Sequence, residues 1–424
     1  MTAGGLTRRF VILRALRWLP VGLVLPFLVI TPEARGLSLG AIGAVFAVHS
    51  AVAIVLEVPS GALADLAGRR RVLLAGAALT AVSLLIFAAA ESVAAFAASA
   101  ALLAAGRALI SGSLEAWYVD SLRLLDPTAP LTHGLSRGAT AEAVAMAMGS
   151  LVAGGLVTLA GPGHGGGGAF SGYGIAAIAG AVAAVGYLVA VAVLVDERGQ
   201  RARAPGQSAP VRQRASEIFA TARDEFMGSV AVRVVIVTGV ALGMSFTAVE
   251  LLWQPRLAHL LSNPDAHGVA FGALAAASMF AAAAGAALSP RLRRRAGLRT
   301  GYLLALALGA ACVALLGAPG TVALFAPVYL LAYLGMGLTD PMHFELLNDA
   351  VGPTARATLI SAESLATQGG ALVANLAVGA LASAHGSAFV WALAGTLLAL
   401  TTVAVAAPLY RAGRAPGAAR TARA

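Results

Sequence analysis

A few ionisable residues interrupt the otherwise apolar stretches of this sequence: Glu115, Asp340, Arg107, Glu250 and His343. A charge in hydrocarbon costs about 2.5–3.5 kcal/mol even on mild insertion scales, so side chains kept there are functional candidates. A carboxyl group in such surroundings can hold a proton and pass it between two aqueous faces. Glu115 and Asp340 offer that chemistry, or else are helix-end acids paired with a local arginine. Arg107 requires a partner: Glu115 two turns on, a carboxylate on the first helix, or an anionic substrate. Glu250, beside Trp253, Gln254 and Pro255, closes the outer side or contacts substrate. His343, between Asp340 and Glu345, joins a proton relay or is simply hydrogen-bonded. Glu142 and Glu363, one or two turns inside their helices, belong with Glu57 to an inner gate or are solvated helix ends.

Elements that place such residues must cross a membrane. The chain has 424 residues, 59% of them apolar and 11% charged, whereas a soluble domain carries about 25% charged residues. All 29 basic residues are arginine. Without lysine there is no Walker A loop and no Schiff-base chemistry. One cysteine, Cys312, permits neither an internal disulfide nor a CxxC metal site. Seven histidines and that cysteine show no nucleophile–base or metal spacing, so neither an enzyme nor a metal or other cofactor is expected. The net charge of +10 does not indicate nucleic acid, because the arginines lie between apolar runs rather than on one face.

Apolar runs between charge clusters give twelve spans, roughly 10–31, 38–63, 72–90, 93–121, 134–160, 171–195, 229–254, 268–289, 299–317, 321–347, 357–383 and 387–410. Counting arginines, 26 fall on one side with both termini, Arg35 and Arg256 on the other, and Arg107 within a span. The positive-inside rule then places both termini in the cytoplasm. The polar stretch 196–228 reads as a flexible basic linker ending in a short amphipathic helix over 216–226. It separates a bundle over 1–195 from a bundle and basic tail over 229–424. The Gly-rich stretch 161–168 follows no strand and reads as a loop.

The halves overlay on each other. Gly112, Glu115 and Asp120 match Gly337, Asp340 and Glu345 at an offset of 225; Arg69–Arg71 match Arg293–Arg295 at 224; Glu142 and Gly149 match Glu363 and Gly370 at 221. A duplicated six-helix unit keeps its orientation in both copies. The copies are therefore related by an axis along the membrane normal, with a site between them near the midplane.

The run Gly61-Ala-Leu-Ala-Asp65-Leu-Ala-Gly68-Arg69-Arg70-Arg71 resembles the signature loop between helices two and three of the major facilitator superfamily. Glu57-Val-Pro-Ser60, and Gly106-Arg107 through Glu115-Ala-Trp-Tyr-Val-Asp120, are similar to its drug and metabolite exporters. The resemblance implies an all-α membrane protein with twelve helices in two bundles related by a pseudo-twofold axis. It also implies that Asp65 docks on the start of helix eleven. Gly61 and Gly68 permit a tight turn, Asp65 favours a helix N-terminus, and Arg69 is within reach of Asp120, together forming a conformational latch. The expected protein is a plasma-membrane transporter that works as a monomer and exchanges protons for a small amphipathic compound. Uptake of a small, anionic nutrient by proton symport is the alternative, and a non-transporting membrane sensor a remoter one.

Overall fold

The computed structural model describes residues 2–126, 128–161, 168–196, 220–221, 223–261, 267–350 and 353–412. Twelve long helices dominate, and no strand occurs among the described residues. They are α1 (Ala3–Val24), α2 (Leu39–Ala67), α3 (Arg69–Ala89), α4 (Val93–Leu125), α5 (Leu131–Ala160), α6 (Gly172–Leu194), α7 (Val230–Leu261), α8 (His267–Ala296), α9 (Leu298–Leu315), α10 (Val322–Ala350), α11 (Pro353–His385) and α12 (Ser387–Ala412). The linker at 197–219, the loop at 162–167 and the tail beyond 412 lie outside the described residues, and with them 216–219 and 222 of the expected 216–226 helix; residues 220, 221 and 223–228 are helical.

Each helix is long enough to cross a bilayer and apolar enough to stay there. Val193 and Val403 are both 73% exposed and Leu400 61%, a degree of apolar exposure that a lipid-facing surface requires. The chain is an integral membrane protein.

Two arginines on the sparsely charged side do structural work. Arg35 donates to the carbonyls of Phe87, Ala88 and Ala90 at the end of α3 and to that of Gly168. Arg256 donates to Gly317 and Pro319 just past α9. A cation at a helix C-terminus satisfies orphan carbonyls and the dipole.

Packing repeats between the halves. In the first, α1 packs on α5 and α6, and α4 on α2 and α3; in the second, α7 packs on α11 and α12, and α10 on α8 and α9. The halves meet through α5 against α8 and α2 against α11. A side chain on Gly268 would strike the Gly154 carbonyl, and one on Gly43 that of Asn375, so both crossings bring backbone against backbone.

These crossings lie at the end remote from the chain termini. One apolar core there draws on both halves, including Phe27, Tyr173, Trp253, Phe271 and Trp391. Toward the termini the core divides. Phe10, Leu73, Trp117 and Tyr187 belong to the first half alone, and Tyr302, Leu306, Met342 and Leu359 to the second. The halves are thus closed at the remote end and separate at the terminus-bearing end.

Candidate functional site

Helix α4 is interrupted where its sequence places Ser111-Gly112. Gly112 adopts φ +74, and a new helical segment runs Ser113–Leu125. Only glycine takes that conformation without strain. The break separates Arg107 from Glu115, so the two do not share one helical face. Glu115 instead meets α1: Arg14 donates to Glu115 and to Glu142 on α5, and Arg17 lies 3.4 Å from Glu115. A two-carboxylate clamp on one guanidinium compensates charges that would be costly alone.

Arg107 is exposed at mid-helix and has no carboxylate within 4 Å among the described residues. Its Nη1 is 3.5 Å from His49 Nε2, and its guanidinium lies 5.8 Å from the Trp18 ring centre. His49 Nδ1 donates to the Ala100 carbonyl at 3.2 Å. A carbonyl only accepts, so Nε2 is the nitrogen left to accept from Arg107.

The second half carries a different arrangement. Thr238 donates to the Val234 carbonyl at 2.7 Å and accepts from Tyr302 Oη at 2.8 Å. With its only proton committed, Tyr302 accepts from His343 Nδ1 at 2.7 Å. His343 Nε2 then faces Glu363 Oε1 at 3.2 Å, and Thr367 donates to the same oxygen at 2.9 Å. A bare nitrogen facing a carboxylate would repel it, so one proton is shared between His343 and Glu363. When that proton is lost, the remaining imidazole proton can move from Nδ1 to Nε2, facing the carboxylate, and the Tyr302 hydroxyl can then turn and donate to Nδ1. Hydroxyl, imidazole and carboxyl are thus linked in one hydrogen-bonded chain.

At the closed end, Gln254 of α7 is 1% exposed. Its Oε1 accepts from the amides of Val29 and Ile30, at 2.8 and 2.9 Å, and its Nε2 donates to the Leu25 carbonyl at 2.9 Å. One side chain thereby stitches α7 to the end of α1. Nearby, Tyr333 donates to Glu250 within the second half, and Tyr173 lies 3.2 Å from His267 between the halves.

The Major Facilitator Superfamily model matches residues 10–362. The chain belongs to the Major Facilitator Superfamily. Solved structures agree in fold: the nucleoside transporter NupG (TM-score 0.76, 14% identity, covering 95% of this chain and 99% of that one), a bacterial homolog of the lysosomal transporter Spinster in an inward-facing conformation (0.72, 14%, 97% and 97%), and a peptide transporter POT (0.72, 16%, 98% and 96%). No curated protein sequence matches significantly. Family and structural neighbours are transporters, not enzymes.

In this superfamily member, Arg69 pairs with Asp120 at 2.5 Å, and Arg293 pairs with Glu345 at the matching place in the second half. Both pairs lie within a half; the part of the expected latch that would reach across, Asp65 on the start of α11, rests on side chains outside the described residues. Gly68 makes the α2–α3 turn at φ +90; Gly61 and Asp65 lie in α2, and their side-chain placement is outside the described residues. Asp340 is exposed and forms no ion pair among the described residues. Glu57 accepts from Ser364 of α11 at 3.4 Å, a contact between the halves. Arg107 does not meet Glu115, one of the three partners the sequence offered it, because the Gly112 break gives Glu115 to α1.

Arg14 and Arg17 were counted with the terminal arginines, but they point into the bundle. Their spacing of three within an apolar span was the available signal, since it puts both on one face. Tyr302 gave none, being one aromatic residue in an apolar span.

Proposed function

We propose that the chain is a plasma-membrane secondary transporter with cytoplasmic termini, exporting a small amphipathic compound in exchange for protons by alternating access. The observation that carries the coupling is the relay of Tyr302, His343 and Glu363, a buried proton site between α9, α10 and α11. Asp340, exposed one turn from His343, is the group that passes protons between the relay and the open cleft. Charge excess on the terminus-bearing side supports the cytoplasmic assignment. Each proton moving inward contributes about 2.3 kcal/mol per 100 mV of membrane potential, which drives efflux without ATP. The Arg69–Asp120 and Arg293–Glu345 pairs, with Gly61, Asp65 and Gly68, are the parts that re-pair when the terminus-bearing end closes. The bundles over 1–195 and 229–424 move as the two rocking bodies, with 196–228 as their tether.

A second reading is uptake of a small anion with protons, favoured by the arginine excess in the first half. Inverted vesicles separate the two: inside-acid vesicles accumulate an exported substrate and do not accumulate an imported one. The coupling is tested in the same vesicles with His343→Gln, Glu363→Gln and Tyr302→Phe. Gradient-driven flux is expected to fall at least tenfold and lose its pH dependence in the first two. Substrate counterflow, which needs no net proton movement, should persist. Unchanged pH dependence in both carboxyl and imidazole variants would sink the coupling assignment.

A further inference from the structure

The first half holds more positive charge than it neutralises. Arg14 is matched by Glu115 and Glu142, and Arg17 shares Glu115 at 3.4 Å. Arg107 has only a histidine nitrogen at 3.5 Å. Glu57, the remaining acid of this region, is turned to Ser364 across the cleft. Three guanidiniums therefore stand against two paired carboxylates, and an uncompensated charge at membrane depth is costly.

The excess is focused on one side chain. Arg17 and Arg107 lie 5.5 and 5.8 Å from the centre of the same Trp18 ring. Two like charges beside one ring repel each other, and an anion within reach of both would relieve that repulsion. The indole Nε1 of Trp18 is buried and has no hydrogen-bond partner, an unused donor beside the two cations. His49 cannot serve as the counter-charge, because its Nδ1 proton is given to Ala100 and its Nε2 accepts from Arg107. The matching face of the second half has no such group. Overlaying Gly22 on Gly243 places Val235 opposite Arg14, Thr238 opposite Arg17 and Gly239 opposite Trp18.

We propose that Arg17, Arg107 and the Trp18 indole form an anion site, and that the transported substrate is an amphipathic organic acid whose carboxylate they hold. A guanidinium fork matches a carboxylate in two parallel hydrogen bonds, and the indole face takes the adjoining apolar part. The proposal rests on the transporter reading above, but it is independent of the proton relay and of the direction of transport.

The test is fluorescence quenching of the purified full-length protein in lipid nanodiscs. Trp117, Trp253 and Trp391 are all at most 1% exposed, so aqueous quenchers report on Trp18; Trp18→Phe, which should abolish the quenchable fraction, checks this. Iodide should quench several-fold better than caesium at equal ionic strength, and Arg107→Gln and Arg17→Gln should each remove that preference. Sodium benzoate should protect against iodide, whereas benzamide, of the same shape without the charge, should not. Arg107→Lys keeps the charge and loses the fork: iodide preference should survive and benzoate protection should fall at least fivefold. Equal quenching by the two ions, or an unchanged preference in Arg107→Gln, overturns the site. A preference that benzoate does not reduce overturns the carboxylate. His343→Gln should quench as the unsubstituted protein does, so failure of the relay and failure of this site read out separately.

Discussion

In both halves the first helix crosses the fifth at a glycine, Gly22 against Met146 and Gly243 against Thr367. Both crossings keep the offset of 221 that relates Glu142 to Glu363. On this shared backbone the side chains diverge. The first half builds an ionic cage from Arg14, Glu115 and Glu142; the second places Val235, buried in apolar core, where Arg14 would stand, and hands its acid to a histidine. The offset of 225 sets Tyr118 opposite His343. Tyr118 stacks on Phe10 at 4.2 Å in an apolar core, while His343 bridges a tyrosine and a glutamate. Duplication preserved how the helices touch and freed what they carry. One copy carries arginines paired with carboxylates, and the other a histidine bonded between a tyrosine and a glutamate.

Making the first half resemble the second is the most severe test of this contrast. Among the described residues, Arg14→Leu leaves Glu142 with no cation within 4 Å and Glu115 with only Arg17. Breaking a buried ion pair from one side costs about 3–5 kcal/mol, so a large drop in melting temperature is expected by calorimetry of the nanodisc-embedded protein. Replacing all three as Arg14→Leu, Glu115→Gln and Glu142→Gln removes the stranded charges and should restore most of the stability without restoring transport. A single variant that melts like the unsubstituted protein would show that the cage is not held by Arg14.

The interfaces between the halves test the symmetric part. Gly43 and Gly268 are repeat mates, and a Cβ on either would come within 2.6 Å of a carbonyl oxygen of the opposing helix. Overpacking costs about 1–3 kcal/mol, and 2 kcal/mol shifts a two-state population about thirtyfold. Gly43→Ala and Gly268→Ala should therefore each open the remote end. Spin labels at Ser92 and Ala318, exposed on either half at that end, give the distance distribution once Cys312, the lone cysteine, is replaced by serine. Both variants should lengthen it; a shift in only one would break the equivalence of the interfaces.

The share of this that sequence carries follows from range. Twelve spans were legible because hydropathy is a property of contiguous residues, and the repeat was legible because its acids, glycines and arginines kept their spacing. The α4 break was not, since glycine inside a helical pattern is tolerated as often as it interrupts: Gly337, the mate of Gly112, stays helical and packs against Ala282 of α8. Arg14 and Arg17 disappear into the count of charges by side, which does not distinguish a helix end from a helix face. The relay was half visible. His343 and Glu363 were candidates on separate helices, and their meeting through Tyr302 depends on packing across α9, α10 and α11.

The smallest effect is expected where the repeat carries an acid in one half and an amide in the other. Glu33, just past α1, is the mate of Gln254 at the offset of 221. Gln254 has both ends of its amide bonded across the halves, whereas Glu33 Oε2 is buried with no partner. Burial holds the Glu33 carboxyl above its ordinary range, because the charged form loses hydration it cannot replace. A carboxyl whose folded pKa is raised contributes its full stability below the unfolded pKa and loses it as pH rises through the folded one. Glu33→Gln should thus stabilise the protein by about 1 kcal/mol at neutral pH and leave it unchanged in acid. Melting temperatures of the two proteins should converge on acidification, and a gap that is constant with pH would show that Glu33 is already solvated and that the mismatch between the mates carries no strain.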